Sequence, residues 1–412
     1  MNKPFYCDDQ ISLKPADSTW PGIESVYDLY NILCDVWCAD TCAPRMREEW
    51  SEENKTLGQC SVTAFLAQDI FGGKVYGIPL SDGNYHCFNV VNGQKFDLTS
   101  AQFKEDLDYG NVTEQFRGVH FAKEEKHQRY LKLKQLLKEK TGRKPIRLIV
   151  CDLDETLIRK DRTIHPDCIA AIKYLQKKGV LFVPATGRGY TTVNGTLKDL
   201  DLFEKENQYV MSFNGGALTE NRDTKVLYFR DMDRSLVQKL FERGLRYDAA
   251  VRVYTADMVY VFHMTEEERQ FSKGRAGVTE CEGEDLSCLD GQPIVKIVYA
   301  NSSFPYLRGI EDEMQDLKDE LDISYSSGRY MEFNPKGINK GTGLQKLADL
   351  LDIPISQTMA IGDNFNDLPM IRAAAVGVGT ANTNSQMKRL CPHLSEKTCE
   401  EGAVAEAIER FI

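Results

Sequence analysis

Two aspartates two positions apart, Asp152 and Asp154, follow directly on the apolar run Leu148-Ile149-Val150-Cys151. A run of this kind reads as a strand buried on both faces of a parallel sheet, and chemistry in open α/β sheets collects beyond the carboxyl ends of such strands. The pair is therefore expected at a sheet edge, where a divalent cation can gather it. A second acidic cluster, Gly362-Asp363-Asn364-Phe365-Asn366-Asp367, follows the strand-like Thr358-Met359-Ala360-Ile361. Hard cations such as Mg²⁺ take oxygen ligands and retain several waters, so one or two direct carboxylates suffice. Asp363 fits a ligand, and Asp367 fits a ligand or a support for one.

Two further stretches suit an anion. Val180 to Ala185 reads as a strand and ends in Thr186-Gly187-Arg188. A small hydroxyl followed by glycine lets a phosphate meet the hydroxyl and close backbone N–H groups, and Arg188 adds a charge-assisted contact. Lys340 opens a helix in Asn339-Lys340-Gly341-Thr342-Gly343-Leu344. Its ammonium can neutralise a phosphate or a nucleophilic carboxylate, while the Gly-Lys-Ser/Thr order of a Walker loop is missing. Each signal alone has a bland reading. Short acidic loops are usually solvated turns, and a lysine at a helix start usually faces water.

Together, and in this order, they carry a resemblance. Asp152-x-Asp154-x-Thr156, Thr186, Lys340 and Gly362-Asp363-Asn364-Phe365-Asn366-Asp367 resemble the motifs of the haloacid dehalogenase (HAD) phosphohydrolases. Ala185-Thr186-Gly187-Arg188, Asn214-Gly215-Gly216 and Asn339-Lys340-Gly341 resemble the Cof-type branch in particular, which more often has Asn-Gly-Ala at the second of these. The resemblance implies a Rossmann-like core with a parallel sheet, and an α+β cap that closes over substrate. It also implies a Mg²⁺-dependent phosphatase of small phosphorylated metabolites. Asp152 is then the nucleophile and Asp154 the general acid and base. Mg²⁺ sits on Asp152, the backbone carbonyl of Asp154 and Asp363, with Asp367 beside them. Thr186, Gly187, Arg188, Lys340, Asn214 and Asn366 hold the phosphate or lie next to it.

Another set lies upstream. Gly58-Gln59-Cys60 precedes the helical stripe Val62, Phe65, Leu66, Ile70, which puts Cys60 at a helix N-terminus, where the dipole favours a thiolate. Asn92-Gly93 between Tyr85–Val91 and Gln94–Thr99 is a strong hairpin signal. A two-residue turn sets Val91 opposite Gln94 and makes His86 and Asp97 diagonal neighbours on one face. A Cys, His and Asp so placed is the arrangement of papain-like thiol enzymes, with Gln59 as a candidate oxyanion donor. Trp50, Gly58-Gln59-Cys60, Gln68-Asp69, Gly72-Gly73, His86 and Asp97-Leu98-Thr99 also resemble the YunG-like family. That resemblance implies a domain rather than a reaction. The bland reading is a packed Cys60 and a His86 satisfied by backbone.

These residues need elements to hold them. The expected division is a YunG-like, papain-like α+β domain at 1–122, a solvated helical linker at 123–144, and a HAD core at 145–189 and 335–412 with the cap inserted at 190–334. A helix from Ile23 to Cys42 is expected to carry Cys34, Cys38 and Cys42 on one face; no fourth ligand for a metal is apparent there. At 412 residues, 42% hydrophobic and 27% charged, the chain has room for two or three packed domains. A net charge of −11 leaves no basic surplus for nucleic acid. No apolar run reaches bilayer length, and the polar start and twelve scattered cysteines favour a reducing cytoplasm. The partner expected is a small phosphorylated metabolite, with no membrane or nucleic acid; oligomeric state is left open. Two rival functions stand beside the phosphatase: a thiol hydrolase or amidase acting through Cys60, and a non-catalytic sensor of phosphometabolites.

Overall fold

The computed structural model describes residues 4–273, 277–326 and 328–412. The chain forms two compact units. One holds Met1–Pro145 with Pro392–Glu396 and Arg410–Ile412, and the other holds Ile146–Cys391 with Lys397–Glu409.

The first unit is built on an antiparallel sheet. Its strand order is Tyr6–Cys7, Gln94–Asp97, Tyr85–Val91, Lys74–Pro79, Thr113–Gln115. The Asn92-Gly93 turn has both residues at positive φ, as a tight hairpin of matching twist requires, and the register is Val91↔Gln94, Val90↔Lys95, Asn89↔Phe96. The helix Cys60–Phe71 is buried on every side from Ser61 onward, so it is the axis of the unit rather than a surface helix. Phe65, Leu66, Leu29, Leu33 and Phe96 pack in one core with it. Truncating a fully buried leucine such as Leu66 to alanine costs about 2–5 kcal/mol.

Two expectations about this unit are corrected. Residues 123–144 are not a solvated linker. The helix Glu124–Thr141 buries Tyr130, Leu133 and Leu137 in the unit's core, and Arg129 reaches in to donate to the carbonyls of Thr41 (3.0 Å) and Gly58 (2.7 Å). The apolar spacing of Tyr130, Leu133, Leu136 and Leu137 predicts only a narrow edge, but Arg129 and Lys134 are buried too and widen the inward face. The first helix spans only Val26–Val36. Thr41 Oγ1 donates to the Cys38 carbonyl and accepts from the Cys38 N–H, a local turn that competes with continued helix. Cys38 and Cys42 therefore leave the face that Cys34 occupies.

The second unit has a mixed sheet. Its strands run in the order Lys225–Phe229, Ala217–Glu220, Tyr209–Ser212, Leu181–Ala185, Leu148–Asp152, Thr358–Gly362, Val376–Gly379. The last five are mutually parallel and the first two are antiparallel additions. Leu148–Asp152 comes first along the chain and lies between the second strand, Leu181–Ala185, and the sixth, Thr358–Gly362. The order thus reverses beside it, which opens a crevice at the carboxyl ends of Leu148–Asp152 and Thr358–Gly362.

A separate antiparallel-rich sheet is inserted, in the order Val278–Glu280, Val259–Phe262, Ala250–Thr255, Ile294–Ala300, Tyr330–Pro335, Leu321–Ser326, with helices Arg234–Gly244 and Phe304–Asp312 on its core. The insertion was expected at 190–334. Residues 209–229 instead extend the core sheet, because Tyr209–Ser212 pairs with Leu181–Ala185 and brings the next two strands with it. Among the described residues, no helix is long and apolar enough to cross a membrane.

Candidate active site

Asp152 is the last residue of its strand, and Asp363 directly follows the end of the neighbouring strand Thr358–Gly362. Oxygens of Asp152, Asp363 and Asp367 all lie within 4.8 Å of one another. Lys340 stands against them: its Nζ donates to Asp152 Oδ1 (2.5 Å) and to Asp367 Oδ1 (2.6 Å). The lysine is placed by its helix start. Asn339 Oδ1 accepts from the N–H groups of Gly341 and Thr342, and Thr342 Oγ1 accepts the Asn339 N–H, a reciprocal cap that begins the helix at Lys340. A side chain at Gly341 would sit 2.5 Å from the Pro369 carbonyl oxygen, so glycine is what lets this helix approach the next one.

Asp367 is fully buried and multiply engaged. Its Oδ2 accepts the N–H groups of Asp363 and Asn364, both at 3.0 Å, which shapes the acidic loop around it. Gly362 permits that fold-back, since a Cβ there would fall 2.4 Å from Asp367 Cβ. Thr156 Oγ1 donates to Asp363 Oδ1 at 2.9 Å. The charge does not balance: three carboxylates face one ammonium. Burial and the neighbouring Asp367 push Asp152 up to about 7, and burial with Asp152 and Asp367 pushes Asp363 up to about 8. Burial pulls Lys340 down, but Asp152 and Asp367 outweigh it and keep the ammonium charged. A buried set of hard oxygen donors with surplus negative charge fits a divalent cation of the Mg²⁺ type.

The anion-directed residues converge from other elements. The Asn214 N–H donates to the Thr186 carbonyl (3.0 Å), and Asn366 Nδ2 donates to Asn214 Oδ1 (3.5 Å). Asn214 holds a left-handed φ of 55°, a conformation its residue type tolerates. Thr186 Oγ1 accepts the Arg188 N–H at 3.1 Å. Arg188 and Asp154 are not where the other residues are. Arg188 Nε donates to Asp154 Oδ2 at 2.9 Å and a second N–H of the guanidinium reaches Oδ1, both side chains being largely exposed. The Asp154 carboxylate thus stands apart from the three that converge, and Arg188 binds it instead of facing an open phosphate site.

Two residues that sequence reasoning missed complete the region. Glu332 Oε2 accepts from Asn214 Nδ2 (2.9 Å) and from Lys296, and Lys296 also donates to the Gly187 carbonyl (2.7 Å). Both charges are buried on adjacent strands of the inserted sheet. The signal was a single charge inside an apolar strand, Ile294-Val295-Lys296-Ile297-Val298 and Met331-Glu332-Phe333. Beside them lies a cavity of about 1120 Å³, lined by Asn214, Asn364 and Asn366 from the core, by Arg308 and Tyr325 from the insertion, and by Lys336 just after it.

Residues 149–408 match the family model of the haloacid dehalogenase-like hydrolases, well over half the chain. The chain belongs to this family. Within the HAD-like hydrolases it resembles several curated proteins. One is a protein of Streptococcus pyogenes serotype M6 with a provisional phosphatase name, 29% identical over 65% of this chain and 98% of that one. Another is the HMP-PP phosphatase of Yersinia pseudotuberculosis, 26% identical over 65% of this chain and 95% of that one. Among solved structures, a HAD-like hydrolase from Bacteroides thetaiotaomicron superposes with a TM-score of 0.56 at 24% identity, over 65% of this chain and all of that one. A HAD subclass IIB sugar phosphatase gives 0.57 at 18% identity, over 64% and 98%. These two likenesses establish the α/β fold. Residues 25–142 match the family model of the YunG protein, so the match runs through the helix that was expected to be a linker.

In that first unit the structure brings three of the four expected residues together. His86 Nε2 and Asp97 Oδ2 are 2.6 Å apart and both side chains are buried. Cys60 begins its helix, partly exposed, and its thiol interacts with the His86 ring and the Cys87 thiol. Gln59 does not join them as an oxyanion donor. It is fully buried and directs its amide N–H to the Cys38 carbonyl at 3.1 Å.

Proposed function

We propose that the chain is a Mg²⁺-dependent phosphatase that hydrolyses small phosphorylated metabolites through an aspartyl-phosphate on Asp152. The observation that carries this reading is the Asp152–Lys340–Asp363 cluster at the sheet's switch point, beside a cavity lined by amides and cations. Asp152 attacks phosphorus, the P–O bond to the alcohol breaks, and Asp154 delivers a proton to the departing oxygen. Asp154 then takes a proton from the water that attacks the aspartyl-phosphate, releasing phosphate and restoring Asp152. Asp154 is suited to this by its exposure at the mouth of the site, and its hold on Arg188 must loosen as substrate enters. Asp152, Asp363 and the Asp154 backbone carbonyl would hold Mg²⁺, which when bound offsets the repulsion between carboxylate and phosphate. Asp367 positions Lys340 and the acidic loop. Lys340, Thr186 and Asn366 hold the transferred group, and Asn214 ties that pocket to Glu332 of the insertion.

Relatives named for HMP-PP and for sugar phosphates support a small phosphorylated substrate. The cavity has room for a sugar, nucleotide or cofactor phosphate. The test is phosphate release from a panel of sugar phosphates, nucleotides, FMN and pyridoxal phosphate, with wild type and Asp152→Asn, in Mg²⁺ and in EDTA. Turnover that needs both Asp152 and the metal supports the reading. Binding of phosphate esters without release by well-folded wild type would make this unit a sensor instead.

A further inference from the structure

Unit one carries a second set of reactive groups that phosphoester chemistry does not use. Asp97 is a fixed anchor: its Oδ1 accepts from the Thr99 N–H (3.0 Å) and hydroxyl (3.2 Å), and its Oδ2 accepts from Tyr109 OH (2.8 Å) and faces His86 Nε2. This fixes the imidazole ring and its tautomer, leaving Nδ1 as the free nitrogen. Nδ1 is buried and makes no hydrogen bond among the described residues. Cys60 lies beside the same ring, at the first position of the helix Cys60–Phe71. A helix leaves its first backbone N–H groups without intrahelical partners, and there they are donors for an anion forming at the thiol. Only Cys60 of the three is partly open to solvent, while His86 and Asp97 are sealed.

We propose that Cys60, His86 and Asp97 form a second active centre, a thiol acyl hydrolase acting on esters or amides of carboxylic acids. The Cys60 sulfur attacks the carbonyl carbon, and the carbonyl π electrons move to oxygen, which faces the N–H groups of the helix start. On collapse the bond to the alcohol or amine breaks, and His86 passes that leaving group the proton it holds at Nδ1, leaving an acyl thioester on Cys60. Water then attacks the thioester as His86 takes its proton. The carboxylic acid departs, and the thiolate–imidazolium pair is restored. Cys60 and His86 are the catalytic residues, and Asp97 is a positioning residue.

The charge state of the thiol agrees with this. The Cys87 thiol and then the His86 imidazolium hold Cys60 well below the usual thiol range, against the effect of burial. Burial works against the charged imidazole, but Asp97 and the Cys60 thiolate raise His86 to about 10. The other titratable groups that act on Cys60 or respond to it are Cys42, His120 and Lys126, from the loop and the two following helices.

The experiment uses the reduced full-length chain and p-nitrophenyl acetate. The expected result is a burst of one p-nitrophenol per chain, an acetyl group mapped to Cys60 by peptide mass spectrometry, and steady release afterwards. Cys60→Ser abolishes the burst, His86→Ala suppresses the steady phase, and Asp97→Asn shifts the pH profile of that phase. Iodoacetamide supplies a measurement free of folding artefacts. From pH 8 to 5.5, alkylation of wild-type Cys60 slows by less than about threefold, where an ordinary thiol slows roughly 240-fold. An acetyl group found only on other residues, or a steep loss of Cys60 alkylation at low pH in wild type, overturns the proposal.

Discussion

The two reactive clusters of this molecule are built on opposite electrostatic plans. Around Asp152, two buried carboxylates and the half-buried Asp363 share a single lysine, and burial with mutual repulsion raises the pKa of Asp152 and Asp363. Around Cys60, the Cys87 thiol and the His86 ring hold the thiol well below its usual range while Asp97 raises His86, so opposite charges are favoured side by side. The contrast teaches what each cluster lacks. The first has surplus negative charge, which a cation from solution would offset. The second is balanced within the chain.

The strongest way to break this comparison is at the nucleophile. Asp152→Asn should lower phosphate release on the order of 10⁴-fold, about 5 kcal/mol of lost transition-state stabilisation, measured as kcat/KM on the best substrate of the panel. Lys340→Met removes the ammonium that donates to the two buried carboxylates, Asp152 and Asp367. It should destabilise unit two by about 3–5 kcal/mol in urea unfolding, with part of the loss recovered by Mg²⁺. EDTA should reduce phosphate release at least on the order of 100-fold and leave the rate of Cys60 alkylation unchanged. A thiol rate that followed the metal would end the distinction between the two plans.

The smallest expected effect concerns pH. The raised pKa of His86 contributes stability that is complete below the unfolded value of 6.5 and is lost as pH rises through about 10. The lowered pKa of Cys60 contributes stability that is complete above the unfolded value of 9.0 and is lost as pH falls through its folded value. Between 6.5 and 9.0 the two slopes cancel, because folded and unfolded states bind the same number of protons at this pair. Thermal unfolding of wild type should therefore be nearly flat across that window, whereas Cys60→Ser keeps Asp97 at His86 without the opposing thiol slope and should fall further below wild type as pH rises. A wild-type stability that itself sloped steadily with pH across the window would show that the two groups do not act as a pair.

Much of both sites was legible because each rests on local pattern. Apolar strands that end in Asp152, Thr186 and Asp363, and a capped helix that begins at Lys340, are short-range signals, and the fold needed only to align their ends. The same holds for Asn92-Gly93, which fixed the register that brings His86 to Asp97. Single charges that pair across long stretches were not legible. Lys296 and Glu332 look like interruptions of two apolar strands until the sheet sets them side by side. Arg129 and Lys134 look solvated on a charged helix, yet both are buried. The Arg188–Asp154 pair was missed for a related reason. Two residues assigned to different roles by their motifs were free to satisfy each other.

Asp69, on the central helix of unit one, accepts from Arg117 (2.5 Å), from Tyr130 and from Arg410 Nε (2.7 Å), the last of them 341 positions away along the chain. Asp17 likewise meets His393, 376 positions away. A ribosome moving from the amino end therefore completes the whole hydrolase sheet before it makes the last partners of the central helix of unit one. Until then Asp69 is a buried carboxylate with part of its counter-charge missing, and the thiol half exists only as an unfinished intermediate. The two activities would then mature in the reverse of their order along the gene.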